Sequence, residues 1–424
     1  MWRIIGQPGA IRPKNRKMRP DWKSIREYDP LLILSAVLLT VIGIVLIYSA
    51  QHNAPNPADR AYWSRQLLWF GVALVGFLVA VKIPLRFHEV FAYVYLAIIA
   101  AVLIGLAVLG QTVGGRWVSL GPAYLQPSEL AKLAVLFALS RYLAYLKQPV
   151  FGFRPLLTVA ALVGPVALLV LKQPDLGTAL VFCAMTLVLL FWGGVPPIAL
   201  FFLVSPVISL ILAFNWIAWV AFAVVLFAAL IKVRPRLLVS VTVFTVNLAF
   251  GVFTPILWNS LHAYQQNRIL VFLNPGVDPR GAGYQIIQSK VAIGSGGFWG
   301  KGFLEGTQTG LHFLPAKHTD FVFSVLGEEF GFVGAVIVLA LFGVLLWRAI
   351  IAGYVSRNRF GRFLAVGAAG IIGFQLLVNV GMTVGLMPVT GIPLPFVSYG
   401  GTSLVLFWFL IGLIVNVRRN WQEY

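Results

Sequence analysis

Residues 31–50 read LLILSAVLLTVIGIVLIYSA, twenty consecutive positions without a charged side chain. As a helix rising ~1.5 Å per residue, such a run crosses the ~30 Å hydrocarbon core of a bilayer. It follows a basic, polar segment and exceeds the ~7–15-residue core of a signal peptide, so it reads as a retained first span. Similar runs recur near residues 66–82, 90–110, 128–146, 155–172, 175–193, 197–214, 216–231, 237–257, 322–347, 363–387 and 396–417, giving about twelve spans. The pair at 197–231 is separated only by Asn215 and Trp216, which suit a tight hairpin. The chain is 59% hydrophobic and 11% charged, against about a quarter charged in soluble domains, and no soluble domain fits between the runs. The expected fold is all-α, a polytopic transmembrane helix bundle.

The formal charge of +19 would suit a nucleic-acid binder, but the basic residues lie in short stretches between apolar runs. That placement encodes membrane topology, because short cytoplasmic loops are enriched in Lys and Arg. With the N-terminus inside, inward segments hold eight basic residues before Leu31, then Lys82 and Arg86, then Arg141, Lys147 and Arg154. Lys232, Arg234 and Arg236 follow, then Arg348, Arg357, Arg359 and Arg362, and finally Arg418 and Arg419. Short outward loops hold only Arg60, Arg65, Arg116 and Lys172. The chain divides accordingly into a cytoplasmic basic segment (1–30), spans one to nine (31–257), a large extracytoplasmic loop (258–320), three further spans (321–417) and a cytoplasmic tail (418–424). Cys183 is the only cysteine, so no intrachain disulfide or cysteine metal cluster forms.

Loops as long as 258–320 are usually functional or disordered. Tyr284, Ile286, Ile287, Val291, Ile293, Phe298, Phe303 and Phe313 argue for order, as short helices packed on the bundle. Gly294, Gly296, Gly297, Gly300 and Gly302 would supply turns or close backbone approach.

Only 13 acidic residues exist, so acid/base candidates can be enumerated. Asp21, Glu27, Asp29, Glu89 and Glu423 lie inward; Asp59, Asp278, Glu305 and Asp320 lie outward. Glu129, Asp175, Glu328 and Glu329 fall at or within apolar segments, where an ionisable group is costly and points to function. Glu129 and Lys132 stand at i and i+3 on one helix face and can neutralise each other. Alternatively, Lys132 and Arg116 bind a phosphate or pyrophosphate, for which the Arg fork is suited. Asp175 at the start of a span suits an N-cap, and Glu328 and Glu329 suit capping or ion pairing. Asp278 lies in NPGVDPRG (274–281), where turn formation alone accounts for an Asp before Pro. Among the five histidines, His312 and His318 lack metal-ligand spacing, and no HExxH, GxSxG, Walker or Rossmann signature is present.

Five ordered segments resemble the SEDS family of shape, elongation, division and sporulation proteins. They are GRWVSLG (115–121), QPSELAK (126–132), QPDLGT (173–178), GAGYQIIQSKVAIGSGGFWGKGFLEGTQTGLHFLPAKHTDFVFSVLGEEFG (281–331) and PVTGIPLPFVSYGG (388–401). Gln288-Ser289-Lys290, Gly300-Lys301-Gly302 and Gly306-Thr307-Gln308 resemble the elongation branch (RodA) of the family more than its division branch (FtsW). The resemblance implies a peptidoglycan glycosyltransferase that polymerises lipid II on the outer face of the bacterial inner membrane. It further implies that Asp278, in the DPxGxGY run, is catalytic, followed by Tyr284 and Gln285, which could align sugar hydroxyls. Arg116, Lys132, Lys317, His318 and Asp320 match family positions with a substrate-binding role. Glu129, Asp175, Glu328, Glu329 and Ser398 match as structural or supporting positions. No cofactor is firmly implied, although a divalent cation could help neutralise pyrophosphate. Implied partners are a class B penicillin-binding protein, other elongation-complex proteins and membrane lipids. The family usually has ten spans, so residues 197–231 look like two extra, peripheral ones. The rival functions are a lipid II flippase, which needs a charged cavity open to both leaflets, and a scaffold for wall enzymes without chemistry of its own.

Overall fold

The computed structural model describes residues 29–109, 116–120, 123–147, 150, 152–173, 175–233, 237–260, 266–267, 270–272, 274, 276, 278, 282–310 and 317–420. In chain order the elements are α1 (Pro30–Gln51), the single turn α2 (Pro57–Arg60), α3 (Tyr62–Lys82), α4 (Leu85–Leu109), strands β1 (Val118–Leu120) and β2 (Ala123–Leu125), α5 (Pro127–Tyr145), α6 (Phe153–Lys172), α7 (Leu176–Trp192) and α8 (Pro197–Leu212). There follow α9 (Trp216–Val233), α10 (Leu237–Ser260), α11 (Ala282–Gly296), the single turn α12 (Thr307–Gly310), α13 (Val322–Val355), α14 (Arg359–Thr383) and α15 (Gly401–Arg419). Every predicted span is a helix. Among the described residues nine helices are long and apolar enough to cross a membrane, and α7 and α8 are apolar but shorter. The twelfth is α5, made more polar by Glu129 and Lys132. This is the architecture of a multi-pass membrane protein, and the antiparallel β1–β2 hairpin, with Ser119 opposite Tyr124, is a small departure from helix.

The apolar faces meet in one contiguous core, to which every helix from α1 to α8 except the turn α2 contributes together with α13, α14 and α15. The centre is α14 and α15, whose most apolar stretches are 67% and 72% buried, whereas that of α9 is 11% buried. A few polar threads fix register inside this core. Asn416 donates to the Ala80 and Ile83 carbonyls at 2.8 and 2.7 Å, tying the end of α15 to the end of α3. Arg348 on α13 grips Asp29 at the foot of α1 at 2.8–3.0 Å.

Residues 197–231 form the expected hairpin. Asn215 Oδ1 accepts the Ile217 and Ala218 N–H groups and starts α9, as an N-cap does. The hairpin packs on α10 around its own small core of Phe202, Leu226 and Leu230, at the periphery of the bundle.

α13 is longer than its predicted span and is broken at Gly331, whose φ of 63° leaves the helical region. The Gly-rich segment after α11 fills that break with four main-chain hydrogen bonds: Lys301 N to Glu328 O (3.0 Å), Gly302 N to Glu329 O (3.0 Å), Phe332 N to Gly297 O (3.0 Å) and Val333 N to Phe298 O (3.2 Å). The helix thereby satisfies the groups its break exposes, as buried backbone must. Only glycine fits: a Cβ on Gly300 (φ 85°) would stand 2.1 Å from Glu329 O, and one on Gly296 would stand 2.0 Å from Gly327 O. Gly294 has no such role, since it is helical with open space where its Cβ would be. The last span also starts later than expected, because Phe396 adopts a φ of 64° and the chain turns through 394–398 before Gly401 begins the helix. The segments 1–28 and 421–424, and with them Asp21, Glu27 and Glu423, lie outside the described residues, as do His312 and Phe313.

Candidate active site

The side chains given binding or supporting roles above gather at one end of the bundle, the end of α1 that carries Ser49, whereas Asp29 and Glu89 stand at the other. At the start of α5, Lys132 Nζ binds Glu129 Oε1 at 2.7 Å, and both side chains are almost fully buried. Close by, Asp175 caps α7: Oδ1 accepts the Thr178 N–H at 3.1 Å. Its Oδ2 receives Gln126 Nε2 (2.9 Å), Ser128 Oγ (3.1 Å) and Thr178 Oγ1 (2.8 Å). Four donors saturate this carboxylate and suit it to holding α5 against α7, as its N-cap reading anticipates.

Arg116, Trp117, Gln126, Glu129, Lys132, Asp175, Thr178 and Gly391 line one narrow cavity of about 60 Å³. The lining carries two cations, Arg116 and Lys132, and two carboxylates, Glu129 and Asp175, with Lys132 neutralised by Glu129. Among the described residues Glu129 Oε2 is buried without a hydrogen-bond partner, a spare acceptor beside the cavity. Asp320 stands behind its wall: a Cβ on Gly391 would lie 3.6 Å from Asp320 Oδ2. Asn379 fixes that wall by donating to the carbonyls of Asp320 (3.0 Å) and Ile392 (2.8 Å). Ser398 accepts the Leu394 N–H (2.8 Å) and donates to Thr319 O (2.6 Å), which is a supporting role.

A second cluster lies where the long loop meets α1 and α13. Glu328, buried, accepts from Lys301 Nζ (2.8 Å), Thr307 Oγ1 (3.2 Å) and the N–H groups of Gln308 (2.8 Å) and Thr309 (3.1 Å). Lys317 Nζ donates to Thr309 O at 2.5 Å, so one carboxylate and one ammonium hold the turn α12 from both ends. Burial lowers the Lys317 ammonium to about 8, with Glu328 and Glu329 opposing. Glu329 accepts from Ser49 Oγ of α1. His318 Nδ1 meets Gln51 Nε2 at 2.6 Å, and its ring stacks on Tyr62 with centroids 4.6 Å apart. Burial lowers the His318 imidazole to about 4; Asp59 raises it and Lys317 lowers it further.

Asp278 is half-buried, and its carbonyl accepts the Gly283 N–H at 3.0 Å, coupling it to the first turn of α11. α11 docks on α13 and α14 through Ser289, whose Oγ meets Ser324 Oγ (2.6 Å) and donates to Thr383 O (2.7 Å). Tyr284 and Gln285 are half-buried in the same first turn. The loop is therefore anchored to the spans at α11, at the filled break in α13 and at α12. Among the described residues no three His, Cys, Asp or Glu side chains converge as a metal site requires. Ser49, Gln51, Tyr62 and Asn379 escaped the sequence reading. Their signal was available: Ser49, Gln51 and Asn379 are polar residues inside or ending apolar runs, where an unpaired polar group is costly.

Comparison with known proteins bears on this arrangement. The family profile FTSW_RODA_SPOVE, described as "Cell cycle protein", matches residues 29–222 and 214–423. The chain is 36% identical to the probable peptidoglycan glycosyltransferase FtsW of Trichlorobacter lovleyi, over 93% of this chain and 94% of that protein. It is 35% identical to the peptidoglycan glycosyltransferase MrdB of Escherichia coli K12, over 96% and 97%. In structure it resembles a chain from work described as "Structural coordination of polymerization and crosslinking by a peptidoglycan synthase complex", with a TM-score of 0.68 and 33% identity over 93% of this chain and 98% of that one.

Proposed function

The chain belongs to the FtsW, RodA and SpoVE family of cell cycle proteins, and from that membership we propose that it is a peptidoglycan glycosyltransferase of the bacterial inner membrane, polymerising lipid II with Asp278 as general base. The observation that supports this reading is the convergence of the five motif segments at one end of the bundle, with Asp278 bonded to the first turn of α11. The Lys and Arg distribution makes that end extracytoplasmic, where lipid-linked sugars are polymerised. The elongation branch is our assignment from the 288–308 motifs; near-equal identity to FtsW and MrdB proteins leaves it to those motifs.

In the reaction, Asp278 takes the proton of the acceptor 4-hydroxyl as its oxygen attacks the anomeric carbon of the donor sugar, and the bond from that carbon to pyrophosphate breaks. The donor is α-linked and the product β-1,4-linked, so one displacement with inversion suffices and no covalent enzyme intermediate forms. A positioned base contributes about 10²–10⁴-fold. Charge on the leaving pyrophosphate is met by Arg116, with Lys132 or a divalent cation as the other sources. Tyr284 and Gln285 orient sugar hydroxyls, and Lys317, His318 and Asp320 complete the substrate-binding surface. A class B penicillin-binding protein is the proposed partner, since a glycan polymerase alone leaves strands uncrosslinked, and the peptidoglycan synthase complex above supports such an assembly. Asp278→Asn keeps shape and removes the base; it should lower polymerisation at least about 10²-fold in a protein that still folds and co-purifies with its transpeptidase. Near wild-type polymerisation would transfer the role to Asp320 or Glu329.

A further inference from the structure

At the other end of the bundle, α4, α5 and α6 enclose an open groove of about 560 Å³ lined by Tyr93, Arg141, Tyr142, Tyr145, Lys147 and Arg154, with Leu146 and Pro155. Its position follows from the helix ends: α4 begins at Leu85, α5 ends at Tyr145 and α6 begins at Phe153. The ends of α5 and α6 at the groove mark the boundary between hydrocarbon and headgroups. The chemistry of the groove fits that depth. Arg141 is built in, donating from Nη1 to the carbonyls of Glu89 (2.6 Å) and Val90 (2.5 Å) while its guanidinium lies 5.0 Å over the Tyr93 ring. Lys147 and Arg154 are exposed at the rim, and Arg86 is close enough to act on the Tyr145 hydroxyl. Against these cations stands the carboxylate of Glu89, near the Tyr145 hydroxyl.

The flanks around the cations are apolar and open. Phe87, Val90 and Leu157 are 47%, 53% and 58% exposed, and the aromatic rings of Tyr145 and Phe153 are 66% and 79% exposed. Tyr and Trp rings with Lys or Arg gather at membrane interfaces, and basic pockets between helix ends bind anionic headgroups. A soluble phosphate would use the cations and leave this apolar skirt without a partner. A phospholipid uses both.

We propose that this groove is a binding site for one anionic phospholipid, its phosphate set against Arg141, Lys147 and Arg154 and its acyl chains lying along the exposed faces of α4 and α6. The site stands at the opposite end of α5 from the Glu129–Lys132 pair and does not depend on the glycosyltransferase reading. On the topology argued above its lipid is from the inner leaflet.

The test is native mass spectrometry of the full chain in detergent, titrated with phosphatidylglycerol, with phosphatidylethanolamine and with inorganic phosphate. Lys147→Glu/Arg154→Glu should lower phosphatidylglycerol retention about tenfold or more. Lys232→Glu/Arg357→Glu, with the same charge change at exposed positions on the same end of the bundle, should retain it. Equal loss in both pairs would mean diffuse attraction and overturn the site, as would no loss in either. Displacement of the lipid by inorganic phosphate at comparable concentration would overturn a lipid ligand. Lys147→Gln/Arg154→Gln should give the same ranking and replaces the reversed pair if that protein does not fold.

Discussion

His318 shows how a side chain near the membrane surface is held in one protonation state. Gln51 Nε2 can only donate, so His318 Nδ1 accepts at 2.6 Å, and the ring's proton sits on Nε2. Burial then lowers the imidazole from about 6.5 to about 4. Between those values the unfolded chain holds the extra proton, so stability must fall as pH drops from about 6.5 to about 4 and level off below. Thermal unfolding across that window should show the slope in the wild type and a weaker one in His318→Gln; equal slopes would place the acid sensitivity elsewhere. Such pairs set the limit of what the sequence makes legible. Glu129–Lys132 and the Asp175 cap were legible because their partners lie three residues away. Gln51–His318 and Ser49–Glu329 join residues 267 and 280 positions apart, and nothing local connects them.

The filled break in α13 is the element that ties the loop to the bundle. The sequence marked glycines 294, 296, 297, 300 and 302 as turns or close approaches, and the backbone uses all but Gly294 so. It also read 322–347 as one uninterrupted span, because Glu-Phe-Gly-Phe carries no local sign that a distant loop supplies the hydrogen bonds for a break at Gly331. Gly300→Ala adds about 1–2 kcal/mol of left-handed strain and drives a methyl into Glu329 O. We predict a lower melting temperature, faster hydrogen exchange over 297–302 and 328–333, and reduced polymerisation as α11 loosens. Gly294→Ala, helical and unobstructed, should be neutral or stabilising by up to about 1 kcal/mol. If the two variants behave alike, the break is not what holds the loop.

For the molecule as a whole, composition and the spacing of apolar runs made the helix bundle legible, and the Lys/Arg alternation supplied an orientation. Which helices are central was not legible, since α14 and α9 are both apolar and differ in what covers them. The orientation is open to direct measurement. In a Cys183→Ser background, cysteines placed at exposed Thr307 and Val233 should label from opposite sides of spheroplast membranes, and labelling from one side would refute the topology. The central claim is that this chain joins lipid-linked sugars itself. Labelled lipid II given to the purified chain in proteoliposomes, alone and with candidate class B transpeptidases, should yield glycan polymer. Movement of lipid II between leaflets with no polymer in any combination would contradict the account and make the chain a transporter.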